Sequence, residues 1–320
     1  MIEIYGTLGP ACASAEVLEE MLRLGMTGLR LNLSHGTLRQ AEPELEALEE
    51  AARRTGVKPK LLIDMQGPEL RIGSLFKPIA LIEGKTVILG KGGVPLPAVV
   101  WDALEPGQEL LLDDGKLLIQ ALSHTKARVL RGGLLQSRKS VAVAGKSIWL
   151  PPLTESDREN LALAAAYGVT GVMQPFVRCR EDLEAVRACL AENHAGHIRL
   201  FAKIESRAGL EQLPALIDAA DEIVIARGDL GNAMPLWELP REQKRIAAAC
   251  RAAGKPFMVV TQMLASMEHS PVPTRAELSD IYNAVLDGAA SVMVTGETAV
   301  GEYPAEVIRY LANTVKTAEI

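Results

Sequence analysis

Eight short apolar runs, each ending in polar or charged residues and each leading towards a stretch of helical spacing, constrain this chain more than any other feature. They fall near residues 2–7, 28–31, 60–64, 171–174, 199–203, 222–226, 257–261 and 291–295. Strands covered on both faces read as near-continuous apolar runs, and their alternation with helices predicts a parallel sheet with both faces packed. Helices are expected over about 14–24, 38–55, 155–167, 181–192, 210–217, 241–253 and 275–287, with a last one from Pro304. Thr154 to Asp157 and Thr274 to Glu277 are capping sequences, in which a hydroxyl accepts from amides that the first turn leaves unpaired. Eight such units in one chain predict an α/β fold of the TIM (β/α)8 barrel type. An open doubly wound sheet is the alternative, weakened because no G-x-G-x-x-G follows the first run.

The third unit is interrupted. From Glu69 to Leu150 helical periodicity gives way to the short β-rich runs PIALI, KTVIL, ELLLDDGKLLIQAL, KARVLRGG and KSVAVAG. ELLLDDGKLLI reads as a hairpin with Asp-Gly as its turn signal. Residues 1–68 and 151–320 are therefore expected to build the barrel, and 69–150 a small inserted all-β, barrel-like lid domain after the third strand.

Bulk properties exclude several classes. The 320 residues are 48% apolar and carry a net charge of −6, which argues against a nucleic-acid grip made through phosphates. No apolar run is long enough to span a bilayer, and MIEIYGTLGP is no signal peptide, so no membrane partner is expected. Cys12, Cys179, Cys189 and Cys250 are scattered without a C-x-x-C pair, as fits reduced thiols in a cytoplasmic protein.

Chemistry concentrates in residues 200–231, which read strand–helix–strand. A parallel crossover puts both strand ends at one edge of the sheet. Lys203 and Glu205 follow the first run, Arg227, Gly228 and Asp229 the second, so an ammonium, a guanidinium and two carboxylates are expected to meet at one rim. Two carboxylates without a dedicated cage suit Mg²⁺ shared with a phosphate-bearing substrate. The same rim gathers Thr7, Arg30, Asn32, Ser34, Asp64, Thr261, Thr295 and Glu297. Asn32, Ser34 and Asp64 mix neutral and anionic oxygens, as a weakly charged ion requires. Arg30 and Lys203 suit charge neutralisation on a transferring phosphoryl group. The bare amides from Gly228 to Gly231, near a helix start, suit an anion.

The motifs GTLGPA, LRLNLSHG, LIDMQGPELR, LLLDDGKL, LFAKIES, VIARGDLG, AGKPFMVVTQML, PTRAELSD, NAVLDGA and TGETAVGEYPAE occur in this order. Together they make the chain similar to the pyruvate kinases across essentially its whole length. The resemblance implies transfer of the phosphoryl group of phosphoenolpyruvate to ADP, giving pyruvate and ATP. It implies Mg²⁺ (or Mn²⁺) on Glu205 and Asp229, and K⁺ held by Asn32, Ser34, Asp64 and the carbonyl of Met65. Glu69 after Gly-Pro is the residue that the family's potassium-dependent members carry. Lys203, helped by Arg30, would stabilise the phosphoryl group in flight. The amides of Gly228 and Asp229 and the Thr261 hydroxyl would seat the substrate carboxylate, with Lys203 also touching substrate. Thr261 and Thr295 would carry the proton that turns enolate into ketone. Thr7, Arg30, His35, Arg71 and Lys139 fall at nucleotide-side positions, and the inserted domain would close over the site and exclude water. Asp113-Asp114-Gly115 reads equally as a plain hairpin turn or as a lid contact with substrate, and His35 equally as a helix cap.

Departures from the family are local. Met65-Gln66 stands for Thr-Lys, Gln174-Pro175 for Ala-Ser, and Thr295 for serine, while Asn232-Ala233 interrupts an acidic run. The family normally continues into a C-terminal regulatory domain where this chain stops. On that basis no sugar-phosphate activation is expected, and a homodimer through the remaining barrel face, with residues 262–280 near the interface. The alternative function is a metal-dependent pyruvate-enolate lyase or aldolase on the same scaffold. A catalytically silent ligand sensor is a third reading, opposed by the presence of Lys203, Glu205, Asp229 and Thr261 together.

Overall fold

The computed structural model describes residues 2–113, 115–146 and 148–319, the side chain of His35 excepted. Eight parallel strands close into a barrel: β1 (Glu3–Thr7), β2 (Gly28–Asn32) and β3 (Lys60–Asp64) before the insertion. An inserted unit then holds β4 (Ile79–Leu81), β5 (Thr86–Ile88), β6 (Glu109–Leu112), β7 (Leu117–Ser123), β8 (Lys126–Arg131), β9 (Gly133–Leu135) and β10 (Val141–Val143). The barrel is completed by β11 (Gly171–Gln174), β12 (Arg199–Ile204), β13 (Glu222–Ala226), β14 (Phe257–Val260) and β15 (Ser291–Met293), in the order β1-β15-β14-β13-β12-β11-β3-β2. This is the expected (β/α)8 barrel. The chain divides into one compact unit of Met1–Gly67 with Pro152–Ile320 and a second of Pro68–Pro151.

Alternation along the strands sorts their side chains into two layers. Tyr5, Leu62, Met173, Phe201, Val224, Met258, Val260 and Met293 fill the barrel. Their neighbours Ile4, Ile63, Val172, Leu200, Ile223, Val259 and Val292 face outwards into the sheath of helices. The interior rings fit because two strands begin with glycine. A Cβ on Gly28 would stand 2.5 Å from the Tyr5 ring, and one on Gly171 2.6 Å from the Phe201 ring. At the mouth where the strands begin, Arg199 pairs with Glu222 at 2.8 Å, Ser291 donates to Glu222, and Lys60 and the Tyr5 hydroxyl both reach Glu3.

Helices differ from expectation where proline intervenes or a cap is weak. The segment read as one helix over 210–217 is two, Arg207–Glu211 and Leu213–Ala219, because Pro214 cannot donate the amide that would join them. The helix expected from residue 38 starts at Glu42 with no side-chain cap. Both capping boxes form as expected, at Thr154 with Asp157 and at Thr274 with Glu277.

The inserted unit has its own core around Val94, Leu110, Ile119, Ala127 and Leu135. Its strands pair as two sheets, β10-β6-β7-β8-β5 and β4-β9, the small β-rich insertion expected after the third strand, and it also includes a short helix, Ala98–Asp102. β6 and β7 form the expected hairpin. Its turn bends at Asp113 and Gly115, both at positive φ; Asp114 lies outside the described residues.

Candidate active site

The strand ends at the opposite mouth place the polar residues. Register neighbours Thr7 and Arg30 join β1 to β2, and Asn32 and Asp64 join β2 to β3. Lys203, in β12, shares the inner face with Phe201, and Glu205 follows two residues on. Asp229 lies in the helix Arg227–Asn232, which starts directly after β13.

At the centre is Lys203. Its Nζ lies 3.0 Å from Asp64 Oδ2, 3.1 Å from Asp64 Oδ1 and 3.0 Å from Glu205 Oε1. Arg30 donates to the same Asp64 oxygen from Nε at 2.8 Å and Nη2 at 2.7 Å, while its Nη1 reaches Thr7 Oγ1 at 3.4 Å. Thr7 in turn donates to the Val294 carbonyl at 2.9 Å. Asp64 is therefore an anchor for two cations, and those cations set its titration. Burial pushes its carboxyl up, but Lys203 and Arg30 outweigh that and hold it below its ordinary value. Burial likewise opposes charge on Lys203, but Asp64, Glu205 and Asp229 outweigh it and hold the ammonium charged.

Glu205 behaves oppositely. Burial, with the negative charges of Asp229 and Asp64, pushes its carboxyl up to about 7 against the pull of Lys203 and of an amide. That amide belongs to Phe176, whose N–H donates to Glu205 Oε2 at 2.8 Å from a left-handed backbone at φ 50°. Asp229 thus bears electrostatically on both Lys203 and Glu205, while the ammonium and the Glu205 carboxylate meet directly. The guanidinium does not join them. Arg227 instead turns to the end of β14, donating to the Thr261 carbonyl from Nε at 3.0 Å and Nη2 at 2.7 Å, and to Asp280 at 2.6 Å.

This donor set fits a divalent cation. An ion between Glu205 and Asp229 would relieve the repulsion that now lifts Glu205. Among the described residues no three His, Cys, Asp or Glu side chains gather to hold a metal unaided. The remaining positions would fall to substrate and solvent, as Mg²⁺ accepts.

The other expected residues are placed as follows. Thr261 and Gln262 are both left-handed, at φ 80° and 55°, a costly backbone for a β-branched residue. Gly228 lies against Thr261: a Cβ on it would stand 3.2 Å from Cγ2 and 3.7 Å from Oγ1. The Thr295 hydroxyl donates to Glu297 at 3.2 Å, and among the described residues no hydrogen bond joins Thr295 to Thr261. Asn32 Oδ1 accepts from the Ser34 amide at 3.1 Å, and the Met65 amide donates to Met173. In the inserted unit, Arg71 pairs with Glu69 at 2.7 Å and Lys139 with Asp113 at 2.8 Å. The His35 side chain lies outside the described residues. Sequence reasoning missed the Phe176 amide, which no side-chain motif announces, and the aim of Arg227.

Fold and site together define a barrel enzyme scaffold with an acid–ammonium rim and an insertion after its third strand. Comparison with known proteins is specific. The family profile "Pyruvate kinase, barrel domain" matches residues 1–308. A pyruvate kinase of Aeropyrum pernix is 40% identical over 318 residues, covering 97% of this chain and 69% of that protein. One of Geobacillus stearothermophilus is 36% identical over 323 residues, covering 96% and 55%. One of Methylorubrum extorquens is 38% identical over 319 residues, covering 96% and 66%. The chain belongs to the pyruvate kinase family, and spans between about half and two thirds of the length of these relatives.

Proposed function

We propose that this chain catalyses phosphoryl transfer from phosphoenolpyruvate to ADP, giving pyruvate and ATP. The observation that carries the reading is Lys203, a charged ammonium in contact with Asp64 and Glu205 and acted on by Asp229. In the reaction the P–O bond to the enol oxygen breaks and a bond forms to a terminal oxygen of ADP. The enolate left behind takes a proton at its methylene carbon. Lys203 neutralises charge on the moving phosphoryl group, with Arg30 held beside it by Asp64. The amides of Gly228 and Asp229 and the Thr261 hydroxyl seat the carboxylate, and Thr261 with Thr295 stands on the proton's route. Glu205 and Asp229 hold Mg²⁺ or Mn²⁺, which when bound neutralises phosphate charge.

A potassium requirement belongs to the same reading, supported by Asn32 in register beside Asp64, with Ser34 joined to Asn32 through its amide and the Met65 carbonyl next in sequence. Thr7, Arg30, His35, Arg71 and Lys139 are assigned to the nucleotide side. A homodimer through the barrel face is supported by exposed Leu236, Trp237 and Val272, and light scattering on the purified protein tests it. A cytoplasmic site of action is supported by four unbridged thiols; among the described residues no helix is long and apolar enough to cross a membrane.

The test is a coupled assay for ATP formation from phosphoenolpyruvate and ADP with Mg²⁺, with and without K⁺. ATP formation abolished by Lys203→Met supports the reading. Metal-dependent exchange of pyruvate methyl protons without ATP formation supports the enolate lyase instead.

A further inference from the structure

Three consecutive residues at the end of β11 touch three things that matter separately. Gln174 is fully buried, and its Nε2 donates to the carbonyl of Pro152 at 2.9 Å. Pro152 is the first barrel residue after the insertion, so this bond holds the returning chain. Pro175 packs on Gly67, the last barrel residue before the insertion, so closely that a Cβ on Gly67 would stand 2.4 Å from Pro175 Cγ. Phe176 is left-handed and its amide donates to Glu205 Oε2. The same two connections are tied to each other by Asp157, whose Oδ1 accepts from the Gln66 amide at 2.9 Å. Its Oδ2 accepts from Gly67 at 3.0 Å and Thr154 at 2.9 Å.

Gln174 is an expensive way to hold a bend. Its Oε1 is buried and finds no partner among the described residues. A buried amide with an unmatched acceptor weakens a core that an apolar side chain of the same length would fill without penalty. Its donor is the part that does something, and what it fixes is the residue pair leading into the Phe176 turn. Resting on the reading of Glu205 as a divalent-cation ligand, we propose that Gln174 is a positioning residue for Glu205. By pinning the chain where it re-enters the barrel, it sets the bend whose amide orients the Glu205 carboxylate, and so ties cation affinity to the roots of the inserted unit.

Gln174→Met keeps length and volume and removes the donor and the orphan acceptor together. Mn²⁺ binding to the substrate-free protein, followed by calorimetry, is expected to weaken about tenfold, or 1.4 kcal/mol. The apparent KM for Mn²⁺ in turnover should rise in step while kcat at saturating Mn²⁺ stays within about twofold. Gly67→Ala reaches the same bend through Pro175 and should weaken Mn²⁺ binding in the same direction, an independent check if Gln174→Met folds poorly. A folded Gln174→Met protein that binds Mn²⁺ like the parent overturns the proposal, as does an equal fall in kcat with KM unmoved. A parent protein that binds Mn²⁺ and makes no ATP overturns the functional reading and leaves the positioning result to be read from calorimetry alone.

Discussion

Lys203 Nζ and Glu205 Oε1 lie 3.0 Å apart, two residues along one strand end. Lys203 lies in β12 and Glu205 just past its end, so the extended chain leaving the strand brings the ammonium and the carboxylate to one face. The contact leaves Glu205 with one oxygen on an ammonium and the other on the Phe176 amide, and a divalent ion must be taken up within that arrangement.

Removing the ammonium is the sharpest test. Lys203→Met should lower kcat by about 10³-fold, the loss seen when one preorganised stabilising group is removed from a transition state. Asp64 keeps Arg30 as its partner, so the fold should survive. Steady-state kinetics alongside a thermal melt checks both halves.

Cation binding should depend on pH with a definite sign. The Glu205 carboxyl is pushed up to about 7 in the folded protein from its ordinary value near 4.5. Its raised value stabilises the fold below about 4.5, and that contribution is lost as pH rises through about 7. Metal must displace the proton, so Mn²⁺ affinity should rise between pH 6 and 8, with the steeper part at the lower end. Calorimetric titrations across that range, repeated on Glu205→Gln, measure it; the variant should lose the dependence along with most of the affinity.

The Arg227 clamp predicts a coupled loss. Its guanidinium holds the Thr261 carbonyl by two hydrogen bonds at a residue whose φ of 80° is unfavourable for threonine. Arg227→Ala should cost about 2 kcal/mol of stability, less than a fully buried pair because Asp280 is one-third exposed. Relaxation of Thr261 should also slow protonation of the enolate more than phosphoryl transfer. Urea melts and the rate of pyruvate methyl exchange report the two effects.

Gly228→Ala should act on substrate binding. A Cβ there comes within 3.2 Å of Thr261 Cγ2, at the seat assigned to the substrate carboxylate. The expected result is a rise of about tenfold in KM for phosphoenolpyruvate, the weight of one hydrogen bond, with the melting temperature nearly unchanged. A fall in kcat alone would place the carboxylate elsewhere.

The architecture was legible because most barrel strands are short buried apolar runs, such as IVIA and FMVV, alternating with stretches of helical spacing. The rim was legible for a related reason: residues at strand ends must emerge at one mouth, so Asp64, Lys203, Glu205 and Asp229 could be grouped without coordinates. Direction was not legible. Arg227 sits at the same mouth yet turns sideways to Thr261, because its choice of partner depends on a loop thirty-four residues away in sequence. The Phe176 amide leaves no trace at all, since every residue but proline carries one. Nor did the motif around Thr154 show that Asp157, besides closing a capping box, also receives the amides of Gln66 and Gly67.

The packed rings and methionines between the barrel's two mouths have a practical corollary. Tyr5, Phe201, Met173, Met258 and Met293 stand as a buried apolar stopper, with the Glu222 and Arg199 pair on one side and the Lys203 cluster on the other. Among the described residues the Glu222–Arg199 and Lys203–Asp64 pairs have no ion-pair partner in common, so the free energies of charge edits at the two ends should sum without cross-talk. An engineer can therefore toughen the scaffold from beneath while leaving the reacting end untouched.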